Sequence, residues 1–174
     1  LHTHLAETLD EERFCLEQHG LRPVDAMDRL GWLGEDVWFA HGVHLNDREI
    51  VRLGETGTGI AHCPSSNMRL GSGIARFKEL MAAGAPVGLA LDGPASTDGN
   101  HLLSEARQML LLSRLRGQEF WLAAGEVWRC ATLGGGKVLG RPELGSIEVG
   151  KCADRALWDL GRLDLAGAQS DPRG

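Results

Sequence analysis

The chain has 174 residues, of which 43% are hydrophobic and 24% are charged, and this composition predicts one globular domain of ordinary size. The net charge of −6, without any basic run, argues against nucleic acid or an anionic membrane as a partner. No stretch approaches the roughly 18 apolar residues of a membrane span. The four cysteines are widely separated, which argues against a zinc knuckle or a disulfide framework and favours a reducing compartment such as the cytoplasm.

The first predicted strand is the run Leu1-His2-Thr3-His4-Leu5, and Glu7 follows it closely. Because side chains alternate along a strand, His2 and His4 lie on one face, and Glu7 lies just past the strand's end. Active sites of α/β barrels are built at such strand ends. A single histidine in this position is more often structural, so the rest of the chain must decide between the two interpretations.

Three further apolar runs are predicted strands, and each of them also ends in a polar side chain. Residues 37–41 end at His41, residues 58–63 end near His62, and residues 86–92 end at Asp92. Helices are predicted between the strands, with capping boxes at Thr8-x-x-Glu11 and Asn46-x-x-Glu49. Strands that alternate with helices predict a parallel sheet, and four such units make half of an eight-stranded barrel, since a whole barrel needs about 250 residues.

After the fourth strand the pattern changes. Residues 93–100 are a predicted polar loop of the kind that borders a ligand. Two longer helices are predicted over residues 101–116 and 119–133, and Gly134-Gly135-Gly136 is expected to break the second. Residues 145–160 predict two short strands around a turn, and the polar residues after them predict a frayed tail.

Four consecutive strand ends that carry His, His, His and Asp are difficult to explain as structural. In a parallel barrel all of these ends meet on one face, so their side chains would share one pocket. Burying several titratable groups without partners is costly, and a divalent cation removes this cost. Imidazole and carboxylate suit zinc or iron. The sequence therefore predicts a metal site at this face.

A metal at this place also predicts the type of reaction. A catalytic metal lowers the pKa of its bound water from about 15.7 toward 7. A nearby carboxylate such as Glu7 can carry the proton to the leaving group, and an imidazole such as His41 can orient the water. This set of groups fits hydrolysis of a C–N bond at an sp² carbon, which is deamination or amide hydrolysis.

Several motifs resemble the amidohydrolase superfamily, in its branch of cytosine-deaminase-like and chlorohydrolase-like enzymes. The resemblance covers about residues 1–170 and is carried by the segments 4–8, 40–45, 62–71, 88–93 and 145–154. It implies an α/β fold, namely the C-terminal half of a (β/α)8 TIM-type barrel with strands five to eight, plus a short β segment of a small sandwich domain. Residues 1–133 would be the half-barrel, and residues 134–174 the return segment to the sandwich and the tail.

The resemblance also implies roles for individual residues. It implies one divalent metal, zinc or alternatively iron, with His4, His41 and Asp92 as the ligands. Glu7 matches the family's proton-shuttling glutamate. His41 and Asp92 would in addition be catalytic, because the matching residues contact or activate the attacking water.

Substrate contacts and the substrate class follow from the same resemblance. His62, Ser65 and Asn67 would bind the substrate. The 8-oxoguanine deaminases are the nearest subfamily, which implies deamination of a purine-type heterocycle such as 8-oxoguanine or guanine, with release of ammonia. A triazine-type hydrolase that expels chloride or an alkylamine is one alternative. A catalytically inactive half-barrel fragment that binds a partner is another.

The chain departs from the family's pattern at its beginning. The first metal motif of the family, H-x-H, has no counterpart, because His2-Thr3-His4 imitates it but is followed by Glu7, as in strand five. The chain starts at Leu1 inside a strand, so we expect a cut point within a longer protein. We expect that longer protein to be a cytoplasmic homo-oligomer, and the isolated chain to bind metal weakly.

Overall fold

A computed structural model describes residues 1–159 and 161 of the chain. The described residues form one parallel sheet of four strands in the order β1-β2-β3-β4. The strands are β1 (His2–Leu5), β2 (Trp38–His41), β3 (Gly59–His62) and β4 (Val87–Leu89). The predicted α/β class and the parallel sheet are therefore confirmed.

Helices connect the strands and follow the last one. They are α1 (Leu9–His19), α2 (Pro23–Arg29), α3 (Asp47–Thr56), α4 (Pro64–Arg69), α5 (Phe77–Ala82), α6 (Pro94–Thr97), α7 (Leu102–Leu115), α8 (Ala124–Arg129) and α9 (Gly135–Val138). A single 3-10 turn, Gln118–Phe120, precedes α8, and a π-helical turn, Cys130–Gly134, joins α8 to α9. Over the residues that the structure describes, no helix has the length and apolar character that crossing a membrane requires.

The predicted helix starts are present. Thr8 Oγ1 accepts a hydrogen bond from the Glu11 N–H at 3.2 Å, which caps α1. At α3, Asn46 and Glu49 form the reciprocal pair of a capping box. Each cap satisfies backbone N–H groups that a helix leaves unpaired at its first turn, so these short polar motifs fix where the helices begin.

The hydrophobic core lies between one face of the sheet and the helices. Phe39, Ile60 and Val87 are aligned across β2, β3 and β4 and are at most 5% exposed. Phe77 and Leu80 of α5 are also fully buried in this cluster. Burying each large apolar side chain contributes about 1.5–3 kcal/mol, so this layer fixes the positions of the strand ends.

The opposite face of the sheet carries smaller side chains. His4, Ala40, Ala61 and Gly88 are aligned across the four strands on this face. His4 is exposed there, at the carboxyl end of the sheet.

Three of the predicted elements differ in the structure. The glycines at 134–136 do not break the helix, which passes through Gly134 in a π turn and continues as α9. The reason is close packing: a Cβ at Gly134 would lie 2.2 Å from the carbonyl oxygen of Val87, so glycine brings this turn against β4.

The helix predicted over residues 119–133 and the strands predicted over residues 145–160 also need correction. The first is divided into the 3-10 turn, α8 and the π turn. Residues 145–159 form turns and irregular backbone and no strand, and Leu160 lies outside the described residues. Ile147 and Leu157 are 77% and 96% exposed, because no strand of the described chain lies beside them to complete a ladder. The predicted tail, residues 162–174, lies outside the described part.

The division at residues 133 and 134 remains a prediction about domains. The structure shows that α9 still packs on the sheet, since a Cβ on Gly59 would lie 3.3 Å from Val138. The contact of the chain with the sheet therefore extends to residue 138.

Candidate metal centre

Three side chains with metal-ligating atoms converge at the carboxyl edge of the sheet. One ligand atom each of His4, His41 and Asp92 lies within 4.8 Å of the other two. His4 belongs to β1, His41 ends β2, and Asp92 follows β4. Because the strands are parallel, their carboxyl ends lie at the same edge of the sheet. The tertiary structure thus brings together the three predicted ligands.

The backbone at this edge adopts a conformation that non-glycine residues rarely take. Ala6, His41 and Asp92 have φ angles of 51°, 75° and 67°, in the left-handed region. Each follows or ends a strand, and the left-handed turn leads the chain away from the pleat. Such conformations cost about 1–3 kcal/mol each and persist where the surrounding structure holds them, as they often do at functional sites.

The side chain of His41 is held in one orientation. It is 1% exposed, and its Nδ1 lies 2.8 Å from Oδ1 of Asn67. With the amide oxygen of Asn67 on this side, Nδ1 is the ring nitrogen that would donate the hydrogen bond. The other ring nitrogen, Nε2, lies 3.6 Å from a carboxylate oxygen of Glu7. His41 therefore directs Nε2 toward the site.

Glu7 is fixed through both its backbone and its side chain. The carboxylate of Glu11 accepts hydrogen bonds from the N–H groups of Ala6 and Glu7, each at 2.8 Å. Ser72 Oγ donates to Oε1 of Glu7 at 3.3 Å. The side chain of Glu7 is 21% exposed, so it combines a defined position with access to solvent or to a ligand.

The surroundings of Asp92 stabilise its carboxylate form. Its Oδ2 accepts hydrogen bonds from Ser66 Oγ at 2.5 Å and from Ser96 Oγ at 3.0 Å. Partial burial raises the pKa of the carboxyl, but the hydrogen bonds from Ser66, from the backbone of Gly93 and from Ser96 outweigh it and hold the pKa below its usual value. A carboxylate in this state is ready to bind a cation.

The donor set fits a divalent cation. Two imidazole groups and one carboxylate are ligands that zinc accepts, and catalytic zinc sites usually have three protein ligands and one open position. At His41 the nitrogen away from the cluster is already used by Asn67, which leaves the other nitrogen for the cation. A hydrogen bond on the far nitrogen is the usual arrangement of a metal-ligating histidine.

The predicted substrate-binding residues differ in burial, and their role remains a prediction. His62 is 0% exposed, and its ring lies 4.7 Å from the ring of Phe77. Burial, and to a lesser extent the charge of His41, lower the pKa of His62 to about 3, so its ring is neutral. Asn67 is likewise fully buried behind His41, and Ser65 is half-buried at the start of α4.

Ser66 lies between the predicted substrate-binding residues Ser65 and Asn67, and three further residues of the site were not predicted to belong to it. Ser66 and Ser72 bond site carboxylates, Glu11 holds the backbone of Glu7, and Glu105 accepts a hydrogen bond from the Ser65 N–H at 2.9 Å. The capping pattern Thr8-x-x-Glu11 did single out Glu11 as a helix signal. The two serines lie in or beside the motif 62–71, but nothing in their spacing shows which carboxylate each one bonds.

Comparisons with known proteins identify a family and several relatives. The model of the amidohydrolase family matches residues 1–173. The 8-oxoguanine deaminase of Pseudomonas aeruginosa is 55% identical over 172 residues, which are 99% of this chain and 38% of that protein. The 5-methylthioadenosine/S-adenosylhomocysteine deaminase of Natronomonas pharaonis is 41% identical over 92% of this chain and 37% of its own length.

Solved structures show the same similarity. The zinc complex of atrazine chlorohydrolase from Arthrobacter aurescens TC1 superposes with a TM-score of 0.89 at 38% identity, over 96% of this chain and 37% of that one. An adenosine deaminase from Xanthomonas campestris with bound zinc gives 0.88 at 35% identity, over 95% and 38%. The chain thus spans a little more than a third of the length of the proteins it matches.

Proposed function

The chain belongs to the amidohydrolase family, and from this premise we propose that it forms strands five to eight of the barrel of a metal-dependent deaminase. Its similarity to relatives covers almost all of this chain but only about 38% of the 8-oxoguanine deaminase of Pseudomonas aeruginosa. The small side chains on one face of the sheet, among them Ala40 and Ala61, suit a barrel interior. The remaining strands would come from residues that precede this chain.

The convergence of His4, His41 and Asp92 beside Glu7 is the observation that carries the proposal. These three residues would hold one divalent cation, and zinc is the cation in two of the similar solved structures. When bound, such a cation supplies Lewis-acid activation of a water molecule.

The residues of the chain supply the proton transfers. A carboxylate oxygen of Glu7 accepts a proton from the attacking water and delivers it to the amino group that leaves as ammonia. Nε2 of His41 lies 3.6 Å from the Glu7 carboxylate, so a cation held by His41 would lie beside the group that moves the proton. The ionised carboxylate of Asp92 contributes negative charge that favours removal of the proton.

The proposed substrate is a purine-type heterocycle, with 8-oxoguanine or guanine as first candidates. The identity of 55% with an 8-oxoguanine deaminase supports this substrate, since the other relatives named above are 41% identical or less. A triazine hydrolase is the second candidate, because the zinc complex of atrazine chlorohydrolase superposes with a TM-score of 0.89. We further propose that the full-length protein is a homo-oligomer. A cytoplasmic location is also proposed, in line with the free state of all four cysteines.

Assays on the full-length protein distinguish these functions. The reading frame that carries this chain is expressed from its own start codon, and the protein is loaded with zinc. Ammonia release is measured for 8-oxoguanine and guanine, and release of chloride or alkylamine is measured for a chlorinated alkylaminotriazine. We expect the highest kcat/KM for a purine, loss of activity on chelation, and recovery with zinc. Turnover of the triazine alone would favour the second candidate. No turnover of any of these compounds by the zinc-loaded protein would favour an inactive half-barrel.

A further inference from the structure

One short segment, Ser66–Ser72, bonds three of the four residues of the candidate site. Ser66 donates to Asp92 at 2.5 Å, and Asn67 accepts from His41 at 2.8 Å. Ser72 donates to Glu7 at 3.3 Å. These partners come from three different strand ends, so a single piece of chain connects groups that are far apart in sequence.

We propose that Ser66–Ser72 is a positioning segment, in which Asn67 selects the tautomer of His41 that leaves Nε2 free for the cation. Imidazole has two neutral tautomers, and only one of them has its lone pair on Nε2. The oxygen of Asn67 accepts the hydrogen of Nδ1, and this contact stabilises that tautomer over the other. The inference rests on the function proposed above, since it assigns His41 to the cation.

The segment is rigid enough for this role. Ser66 and Asn67 are 0% exposed and Ser72 is 7% exposed. The N–H of Asn67 donates to the carbonyl of Cys63 at 3.0 Å, and the N–H of Ser72 donates to the carbonyl of Asn67 at 2.8 Å. Backbone hydrogen bonds therefore fix the residues whose side chains bond the site.

A buried carboxylate on α7 anchors the beginning of the same segment. Glu105 is 3% exposed, and its carboxylate accepts a hydrogen bond from the N–H of Ser65 at 2.9 Å. Burying a carboxylate is costly unless hydrogen bonds compensate for it, so this contact ties α4 firmly to α7. Glu105 thus anchors the start of α4, the helix that carries Ser66 and Asn67.

The ring of His41 has little freedom to compensate for the loss of Asn67. At 1% exposure, the ring lies where water has no access to Nδ1. Without an acceptor at Nδ1, the tautomer with its hydrogen on Nε2 becomes competitive, because that hydrogen faces the carboxylate of Glu7 at 3.6 Å. The cation would then have to displace this hydrogen. Loss of such an outer partner typically weakens metal affinity by about 10–100-fold.

The test uses the full-length protein with its metal removed, so that the tautomer is read without the cation. Nitrogen NMR of ¹⁵N-histidine-labelled protein reports which ring nitrogen of His41 carries the hydrogen, and its signals are assigned by their loss in His41→Gln. Zinc Kd is measured in parallel by competition with a chelator. The variants are Asn67→Leu, which removes the acceptor, and Asn67→Asp, which keeps it. Asn46→Leu is the matched control, since it removes the cap of α3 and leaves the site intact.

We expect the hydrogen on Nδ1 in the wild-type protein and in Asn67→Asp, and a shift of population toward Nε2 in Asn67→Leu. Zinc Kd should rise by about 10–100-fold in Asn67→Leu and should be retained in Asn67→Asp. Asn46→Leu should lower the unfolding temperature without changing the tautomer or Kd. If Asn67→Leu does not fold, the wild-type and Asn67→Asp spectra remain decisive.

Two results would overturn the inference. One is a wild-type His41 with its hydrogen on Nε2, and the other is an Asn67→Leu variant with unchanged tautomer and unchanged Kd. Failure of the proposed function gives a different pattern, in which no purine is deaminated while the tautomer and the zinc Kd still depend on Asn67. The two hypotheses can therefore fail separately.

Discussion

A carboxylate oxygen of Glu7 lies 3.6 Å from Nε2 of His41, although the two residues follow different strands of the sheet. Glu7 follows β1 and His41 ends β2, and the parallel pairing of Leu5 with His41 brings these ends side by side. A carboxylate and an imidazole at this separation are too far apart for a direct hydrogen bond, but one water molecule can bridge them.

Replacing Glu7 with Gln should abolish turnover and leave the metal bound. The amide keeps the shape and one acceptor of the carboxylate but cannot carry a proton, and proton transfer of this kind typically contributes about 10²–10⁴-fold to the rate. Steady-state kinetics and metal analysis of the full-length protein measure the two effects. Glu17→Gln, an exposed change on α1, is the control. Full activity of Glu7→Gln would exclude the proton-transfer role.

Replacing Asp92 with Asn should reduce metal stoichiometry and activity together. The amide is uncharged, so the site loses the one carboxylate among its three candidate ligands. Asp98→Asn is a matched control, because Asp98 also has a left-handed backbone, with φ 56° against 67° for Asp92, and lies outside the cluster. Asparagine tolerates this conformation, so both variants should fold. Full metal content in Asp92→Asn would show that Asp92 is not a ligand.

Glu79 should make stability depend on pH in the acidic range. Burial raises the pKa of this carboxyl, but hydrogen bonds from Arg116 and Arg76 lower it to about 2, from a usual value of 4.5. A carboxyl whose pKa is lowered on folding stabilises the protein above pH 4.5 and loses this contribution as the pH falls toward 2. The contribution is on the order of 1–3 kcal/mol, since the side chain is 18% exposed and partly screened.

Denaturant unfolding of wild-type protein and Glu79→Gln at a series of pH values measures this effect. The difference in unfolding free energy should be largest at neutral pH and should shrink as the pH falls below 4.5. Glu55→Gln removes an exposed carboxylate on α3 and controls for the change in net charge. A difference that is constant across the pH range would contradict the assignment.

Gly54→Ala should destabilise the fold, although alanine normally favours a helix. Gly54 lies in α3, and a Cβ there would lie 2.0 Å from the carbonyl oxygen of Ala83. Separating these two backbones should cost about 1–3 kcal/mol, which exceeds the gain of about 1 kcal/mol in helix propensity. Gly125→Ala in α8, where a Cβ would meet nothing within 4 Å, should instead be neutral or stabilising. Thermal unfolding of both variants measures the change in unfolding temperature. A fall of similar size in both variants, or in neither, would contradict the predicted clash at Gly54.

The sequence predicted the sheet because its signals are local. Each strand is an apolar run, each helix start carries a capping residue such as Thr8 or Asn46, and these features act over a few residues. The same reasoning failed for residues 145–159, where apolar side chains such as Ile147 are exposed. A strand exists only with a neighbour to pair with, and periodicity does not report whether that neighbour is present.

The sequence also predicted which side chains meet at the candidate site. His4, Glu7, His41 and Asp92 each stand at a strand end, and the ends of parallel strands lie together whatever the details of packing. Their chemical roles remain predictions, and the experiments above test them. The positioning segment could not be predicted, because its hydrogen bonds depend on how α4 crosses the edge of the sheet.

His41 and His62 show most clearly what only the tertiary structure decided. Both end a buried strand and look equivalent in sequence, and the pleat directs both toward the buried face. His41 has a φ of 75°, which turns it toward Glu7, whereas His62 stays on the pleat and lies against Phe77. The sequence determined that both strands end in a histidine. Packing alone determined which of the two histidines adopts the left-handed backbone conformation. That conformation is stable only where surrounding contacts, here including the one with Asn67, outweigh its cost.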